Sequence, residues 1–151
     1  MWRRCFKDAR LFITILAAVL LLAGSVGACS SNSSGSSNNS GNTTAISLSN
    51  NVQPIFNQNC VVCHQGSQAP AGLNLQGSSS YGNLVNIKST QSPLMRVVPG
   101  HPEQSYLMNK LLGTQSQVGG SGAEMPFRSS PLSQDLINSI EQWISQGALN
   151  N

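Results

Sequence analysis

The sequence predicts one mostly α-helical domain over residues 46–151, built from three helices that are joined by long loops. Three observations lead to this fold class. Apolar residues recur at helical spacing in three segments, no segment shows a sustained two-residue alternation, and the stretches between the helices are rich in Gly, Pro, Ser and Asn. A chain of 151 residues with 9% charged residues holds one such domain and excludes a multidomain enzyme.

The first predicted helix carries Val52, Ile55 and Phe56 at helical spacing and runs into Cys60. Proline is tolerated in a helix only within the first turn, because it lacks a backbone N–H group. The position of Pro54 therefore predicts that this helix begins near residue 51.

The second predicted helix has Pro102 near its start and Gly113 at its end, which are the positions that proline and glycine favour at helix ends. Four of its residues share helical spacing: Tyr106, Leu107, Lys110 and Leu111.

The third helix has the clearest pattern. Ser133 can cap its start, Asp135 complements the helix dipole in the first turn, and Gly147 lies where a left-handed stop is expected. Five apolar residues form one stripe along it: Leu136, Ile137, Ile140, Trp143 and Ile144.

Charge excludes one class of partner. The formal net charge is +3, and the first ten residues supply all of this excess, so the rest of the chain is neutral. A neutral domain has no basic face that could release counterions from phosphates. Nucleic acid is therefore not expected as a partner.

The N-terminus has the form of an export signal over residues 1–28, with basic residues, an apolar run over 11–23 and small residues before Cys29. The apolar run is shorter than the roughly 20 residues that span a bilayer. Val26-Gly27-Ala28-Cys29 resembles the bacterial lipoprotein signal, which predicts cleavage after Ala28 and lipidation of Cys29. The alternative is an ordinary signal peptide that leaves Cys29 as a free thiol.

Residues 29–45 are predicted to form a flexible linker, because residues 30–44 are only Ser, Asn, Gly and Thr. The segment would tether the domain to a membrane, and a disordered tail without function is the alternative. Ser30 after Cys29 is not an acidic retention signal, which favours anchoring in the outer membrane, with the domain exported to the periplasmic side.

The motif Cys60-Val61-Val62-Cys63-His64 is the attachment signature of c-type haem. Two thiols add across the vinyl groups of the porphyrin, and the adjacent imidazole binds the iron. Three short helices also make a thin core, which a large cofactor would fill. The alternatives are a redox dithiol, a local disulfide, or a zinc site that recruits His101.

Met125 is the favoured sixth ligand of the iron, because the glycine-rich run of residues 119–123 precedes it and Pro126 follows it. Met95, His101 or an open site are the alternatives, and Met108 is assigned to core packing.

The haem shell or core is predicted to include Leu73, Leu75, Leu94, Val97, Leu111, Ile140 and Trp143. The haem propionates could meet Arg96, Lys88, Tyr81 or Tyr106.

Several motifs together resemble the small cytochrome c domains of bacterial exported proteins, in particular the planctomycete-type domains. They are Val52 with Pro54-Ile55-Phe56, Cys60-Val61-Val62-Cys63-His64, Gly72-Leu73-Asn74-Leu75, Val98-Pro99-Gly100 with Ser105, Met125-Pro126, and Trp143-Ile144 with Gly147-Ala148.

This resemblance implies the class I cytochrome c fold, with the terminal helices crossing beside one covalent haem, His64 proximal and Met125 distal. Two departures are visible: His101 stands where such domains commonly carry an acid, and the ring of lysines that mitochondrial cytochromes use for docking is missing.

The expected function is that of a monohaem c-type cytochrome, a membrane-tethered electron carrier rather than an enzyme. Its expected partners are redox proteins of the periplasm or the membrane. The alternative is a haem enzyme or sensor, in which an open distal site binds a small ligand such as peroxide or carbon monoxide.

Overall fold

The computed structural model describes residues 44–151. The predicted signal peptide of residues 1–28, the predicted lipidation site Cys29 and the linker up to residue 43 lie outside the described residues.

Helices dominate the described part of the chain. The four α-helices are α1 (Gln53–Asn59), α2 (Ser80–Leu84), α3 (Tyr106–Leu111) and α4 (Gln134–Ser145). A π-helical turn, Leu48–Val52, leads into α1, and 3₁₀ turns cover Pro70–Gly72, Pro102–Gln104 and Gln115–Val118. Within residues 44–151 there is no β-strand and only isolated bridge pairs occur. The prediction of a mostly α-helical domain with long loops is confirmed.

The first helical segment begins earlier than predicted. Ser47 caps the π-helical turn, because its Oγ accepts a hydrogen bond of 3.2 Å from the backbone N–H of Asn50. Pro54 is the second residue of α1, within the first turn where proline is tolerated. The π-helical turn and α1 together place Val52 and Phe56 in the core.

Helix α2 was missed by the sequence pattern, because it has only five residues and contains Gly82. Two long-range contacts of its end residues hold it in place. Ser80 is fully buried and donates a hydrogen bond of 2.6 Å to Oε1 of Gln53 in α1, and Leu84 is fully buried in the core.

Helix α4 lies where the sequence places it, whereas α3 begins later than predicted, at Tyr106, because Pro102 starts a separate 3₁₀ turn. Gly113 and Gly147 adopt the positive φ values of 68° and 100° that suit a residue just after a helix. Ser133 occupies the N-cap position of α4 with extended backbone, although its side chain makes no capping hydrogen bond.

The core joins the two ends of the domain. The turn Leu48–Val52 packs against α4, and the N–H group of Ser49 donates to the carbonyl oxygen of Asn151 at 2.8 Å. The largest fully buried side chains are Trp143, Phe56, Leu84, Ile140 and Ile144. No helix within residues 44–151 has the length and apolar content that crossing a membrane requires.

Candidate functional site

The Cys60–His64 segment continues α1 as a tight turn. Cys60 ends the helix, and its N–H group donates to the carbonyl oxygen of Phe56 at 2.8 Å. The carbonyl oxygen of Cys60 then accepts from the N–H groups of Cys63 at 3.1 Å and His64 at 2.9 Å. These backbone bonds fix both thiols and the imidazole on one short, ordered turn.

His64 is oriented by a backbone carbonyl. Its Nδ1 lies 3.1 Å from the carbonyl oxygen of Leu73. A carbonyl oxygen only accepts hydrogen bonds, so Nδ1 carries the proton and Nε2 keeps a free lone pair. Burial lowers the pKa of His64, and the positive charges of Arg96 and Lys110 act in the same direction, against the hydrogen bond to Leu73. The ring is thus neutral with one nitrogen available, as a metal-binding histidine requires.

The two thiols differ in exposure. Cys60 is partly buried, and burial raises its pKa to about 11, whereas Cys63 is exposed. Both are free thiols rather than halves of a disulfide. Cys60 is therefore protonated at neutral pH, and both sulfurs remain available for covalent attachment.

A cavity of about 430 Å³ opens beside this turn, and Cys60, Cys63, His64 and Met125 all line it. Its volume falls within the range of about 300–1,000 Å³ that is typical of small-molecule and cofactor sites. Most of the wall is apolar and comes from all four helices and the loops between them. Side chains that contribute to it include Phe56, Leu73, Leu75, Leu84, Leu111 and Ile140.

Two buried cations also line the cavity. Arg96 is 8% exposed and Lys110 is 7% exposed. Arg96 donates to the carbonyl oxygens of Ala71 at 2.6 Å and Asn83 at 2.8 Å. Burial lowers the pKa of both side chains, and neither forms an ion pair within residues 44–151.

The charge of the lining is therefore unbalanced. No Asp or Glu is among the cavity-lining residues, so two positive charges face a mostly apolar space without a negative counter-charge in its lining. A buried charge is costly unless a counter-charge or hydrogen bonds compensate it. The cavity fits a large apolar group that carries two negative charges, and haem, with its two propionates, has this character.

Met125 and Pro126 line the cavity at the end of the distal loop, which we define as residues 119–126. The N–H group of Met125 donates to the carbonyl oxygen of Lys110 at 2.8 Å. The hydroxyl of Tyr106 and the ammonium of Lys110 donate to carbonyl oxygens of the same loop, at Ser121 and Ala123. Helix α3 therefore positions Met125 at the cavity.

The other candidate iron ligands lie elsewhere. Met95 is 41% exposed, and Met108 is buried in the core at 5% exposure. His101 is exposed, and its Nδ1 lies 3.1 Å from Oε1 of Glu103. None of these residues lines the cavity, so His101 is also not placed to complete a zinc site with the Cys60–His64 turn. Of the candidate sixth ligands, the cavity lining thus includes Met125 and neither Met95 nor His101.

The predicted haem shell divides into two groups. Leu73, Leu75, Leu111 and Ile140 line the cavity, while Val97 and Trp143 are fully buried in the core without lining it. Leu94 is only half-buried and belongs to neither group, because it lies in the loop before Met95.

The predicted propionate partners divide similarly. Arg96 and Tyr106 line the cavity, but Lys88 and Tyr81 do not: Lys88 is exposed, and Tyr81 packs against the core. Lys110 also lines the cavity, a position that was not predicted for it. A signal was present, because its spacing from Tyr106 and Leu107 places a lysine on the apolar face of α3.

No protein-family model matches the chain, and no curated protein or solved structure matches it at a significant level.

Proposed function

We propose that this protein is a monohaem c-type cytochrome that carries electrons while tethered to a membrane. One observation carries the proposal: a single apolar cavity is lined by both thiols and the imidazole of the Cys60–His64 turn, by the thioether of Met125, and by two buried cations. A redox dithiol requires neither the imidazole nor the thioether, and it does not require the two buried cations.

Each part of the lining has a role in holding the cofactor. Cys60 and Cys63 would each add their sulfur and hydrogen across one vinyl group, so that no leaving group is released. The free Nε2 of His64 would bind the iron on one side, and the sulfur of Met125 would bind it on the other. When bound, haem c supplies a one-electron Fe(III)/Fe(II) couple.

The buried cations would balance the charge of the cofactor. Arg96 already donates hydrogen bonds to the carbonyl oxygens of Ala71, Gly72 and Asn83, so its guanidinium is fixed before any ligand enters. The remaining N–H donors of a guanidinium that is fixed in this way bind a carboxylate with little loss of side-chain entropy. Arg96 and Lys110 would therefore face the two propionates.

The protein supports outer-sphere electron transfer by limiting reorganisation. An apolar wall excludes water, and a histidine with a methionine can stay bound in both oxidation states of iron. The attachment turn lies at the surface, where Val62 is 76% exposed between the two cysteines. A redox partner would approach at this turn, and the neutral domain would associate without strong electrostatic steering.

The wider organisation belongs to the same proposal. Contact between the first helical segment and α4 is what the class I cytochrome c fold requires of its terminal helices. The N-terminal pattern of residues 1–28, with Cys29, would export the chain and anchor it by a lipid on the periplasmic side. Its partners would be redox proteins of the periplasm or membrane.

The test is the intact mass of mature protein produced together with a haem-maturation system. The expected mass includes one covalent haem, together with the acyl chains on Cys29. A Cys29→Ser variant should lose the acyl chains and keep the haem. Folded protein that matures without haem would overturn the proposal.

A spectrum of the loaded protein separates the carrier from an enzyme or sensor with an open site. The expected ferric protein is low-spin, with the weak near-infrared charge-transfer band of methionine ligation. High-spin iron without that band would favour the open distal site.

A further inference from the structure

The distal loop is held to α3 by side chains as well as by the backbone. Nζ of Lys110 donates to the carbonyl oxygen of Ala123 and, at 3.3 Å, to that of Ser121. The hydroxyl of Tyr106 donates to the same Ser121 oxygen at 3.0 Å. Two side chains of one helix thus grip the loop just before Met125.

Lys110 holds the loop through both its side chain and its backbone. While its ammonium binds the carbonyl oxygens of Ser121 and Ala123, its own carbonyl oxygen accepts from the N–H group of Met125. Displacement of the loop backbone that carries Met125 away from α3 would therefore have to break contacts with both the side chain and the backbone of one residue.

The loop also packs closely on the two side chains that hold it. A Cβ atom added to Gly120 would lie 2.5 Å from the ring and hydroxyl of Tyr106. A Cβ atom added to Gly122 would lie 3.2 Å from Nζ of Lys110. The close approach to α3 therefore requires glycine at position 120, and the positive φ of 80° at Gly122 also favours glycine.

The burial of Lys110 needs a physical reason. Lysine is almost never buried without a partner, and this one is 7% exposed with no ion pair in the described part of the chain. Its recorded hydrogen-bond partners are the loop carbonyls of Ser121 and Ala123. Hydrogen bonds from a charged donor are about twice as strong as neutral ones. The hydrogen bonds that compensate the burial of this lysine are therefore made to the loop that carries Met125.

We infer that Lys110 and Tyr106 are positioning residues that latch Met125 at the sixth coordination position, and that without this latch the position accepts an external neutral ligand such as carbon monoxide. The inference rests on the proposed function. The latch, rather than Met125 alone, then determines whether the domain is a closed electron carrier or a ligand-binding haem protein.

The test compares Lys110→Leu with Lys88→Leu in the haem-loaded protein. Leucine fills similar space without a donor or an iron ligand, and Lys88 is an exposed lysine outside the cavity. Lys110→Leu should lose most of the near-infrared methionine band, and its ferrous form should bind carbon monoxide at least about tenfold more tightly than the parent. Lys88→Leu should match the parent in both measurements.

Two further variants should change the methionine band and the carbon monoxide affinity less than Lys110→Leu does. Lys110→Arg retains charged donors and should keep most of the band, while Tyr106→Phe removes one hydroxyl and should shift both measurements less, in the same direction as Lys110→Leu. If Lys110→Leu does not accumulate, Tyr106→Phe decides: an unchanged band and unchanged carbon monoxide affinity overturn the latch.

The outcomes distinguish failure of the latch from failure of the proposed function. If Lys110→Leu keeps its band and only the reduction potential moves, Lys110 serves the propionates alone and the latch is wrong, while the cytochrome stands. If the parent protein matures without covalent haem, the intact mass shows it, and both proposals fail.

Discussion

The two walls of the cavity are held in different ways. On the wall that carries His64, the N–H group of Cys60 donates to Phe56 and that of His64 donates to Cys60 within one turn, and backbone groups of Leu73 and Leu75 also bind His64. On the wall that carries Met125, the loop is fastened by Lys110 and Tyr106, side chains 11 to 15 residues before the carbonyl groups that they bind. The first wall is held mainly by backbone groups, and the second depends in addition on two long side chains of α3.

This difference has a thermodynamic consequence. Local turn contacts require little loop closure, whereas the distal contacts hold a glycine-rich segment whose ordering costs more conformational entropy. The distal wall should therefore open before the proximal wall does. Substitutions that affect one wall and leave the other intact test this view.

The largest expected effect is the loss of the covalent cofactor from Cys60→Ser/Cys63→Ser. A serine hydroxyl does not form the thioether bonds, so this variant should retain no haem after denaturation. The single variant Cys63→Ser should retain much less covalent haem than the parent. Both are measured by intact mass and by haem absorbance of the denatured chain. Undiminished covalent haem in the double variant would show that attachment does not use this turn.

The next effect is on the distal wall alone. Met125→Ala should keep covalent haem but lose the near-infrared methionine band and lower the reduction potential, because a thioether ligand favours ferrous iron. Met95→Ala is the matched control, since Met95 is 41% exposed and lies outside the cavity. If both variants keep the parent spectrum and potential, Met125 is not the ligand.

The same contrast explains how much the sequence alone could predict. The Cys60–His64 turn is encoded by adjacent residues, and its three side chains do line one cavity. Helix α4 was predictable because its apolar stripe repeats over twelve residues. Lys110, by contrast, gains its position only when the distal loop folds over α3, and α2 depends on Ser80 reaching Gln53. Long-range contacts of this kind leave little trace in local spacing.

A smaller effect should follow from crowding the distal loop. Gly120→Ala puts a methyl group 2.5 Å from the Tyr106 ring and 2.7 Å from the carbonyl oxygen of Gln115. Overpacking of this kind should lower the free energy of unfolding by about 2–3 kcal/mol. It should also weaken the methionine band, because the loop must move away from α3.

Gly82→Ala is the matched control for this substitution. Gly82 lies within α2, and a Cβ atom there meets nothing within 4 Å. Alanine in a helix is favoured over glycine by roughly 0.5–1 kcal/mol, so this variant should be as stable as the parent or more stable. Chemical denaturation measures both, and equal stability of the two variants would contradict the close packing of the distal loop.

The smallest effect concerns the support behind the proximal wall. Ser80 is fully buried, and Ser80→Ala leaves Oε1 of Gln53 without its donor, while Nε2 of Gln53 still binds the carbonyl oxygen of Leu75. An unsatisfied buried acceptor should lower the free energy of unfolding by about 1–2 kcal/mol. Ser78→Ala, at an exposed position, should change it by less than about 0.5 kcal/mol.

Spectroscopy of Ser80→Ala then tests the independence of the two walls. The hydrogen bond of Ser80 fastens α2 to α1, and neither Ser80 nor Gln53 lines the cavity or touches the distal loop. The variant should therefore lose stability while its methionine band stays at the strength of the parent, the opposite of what the latch variant should show. If the band weakens in proportion to the lost stability, the walls open together, because a loop that opened separately would not respond to the loss of a bond between α2 and α1.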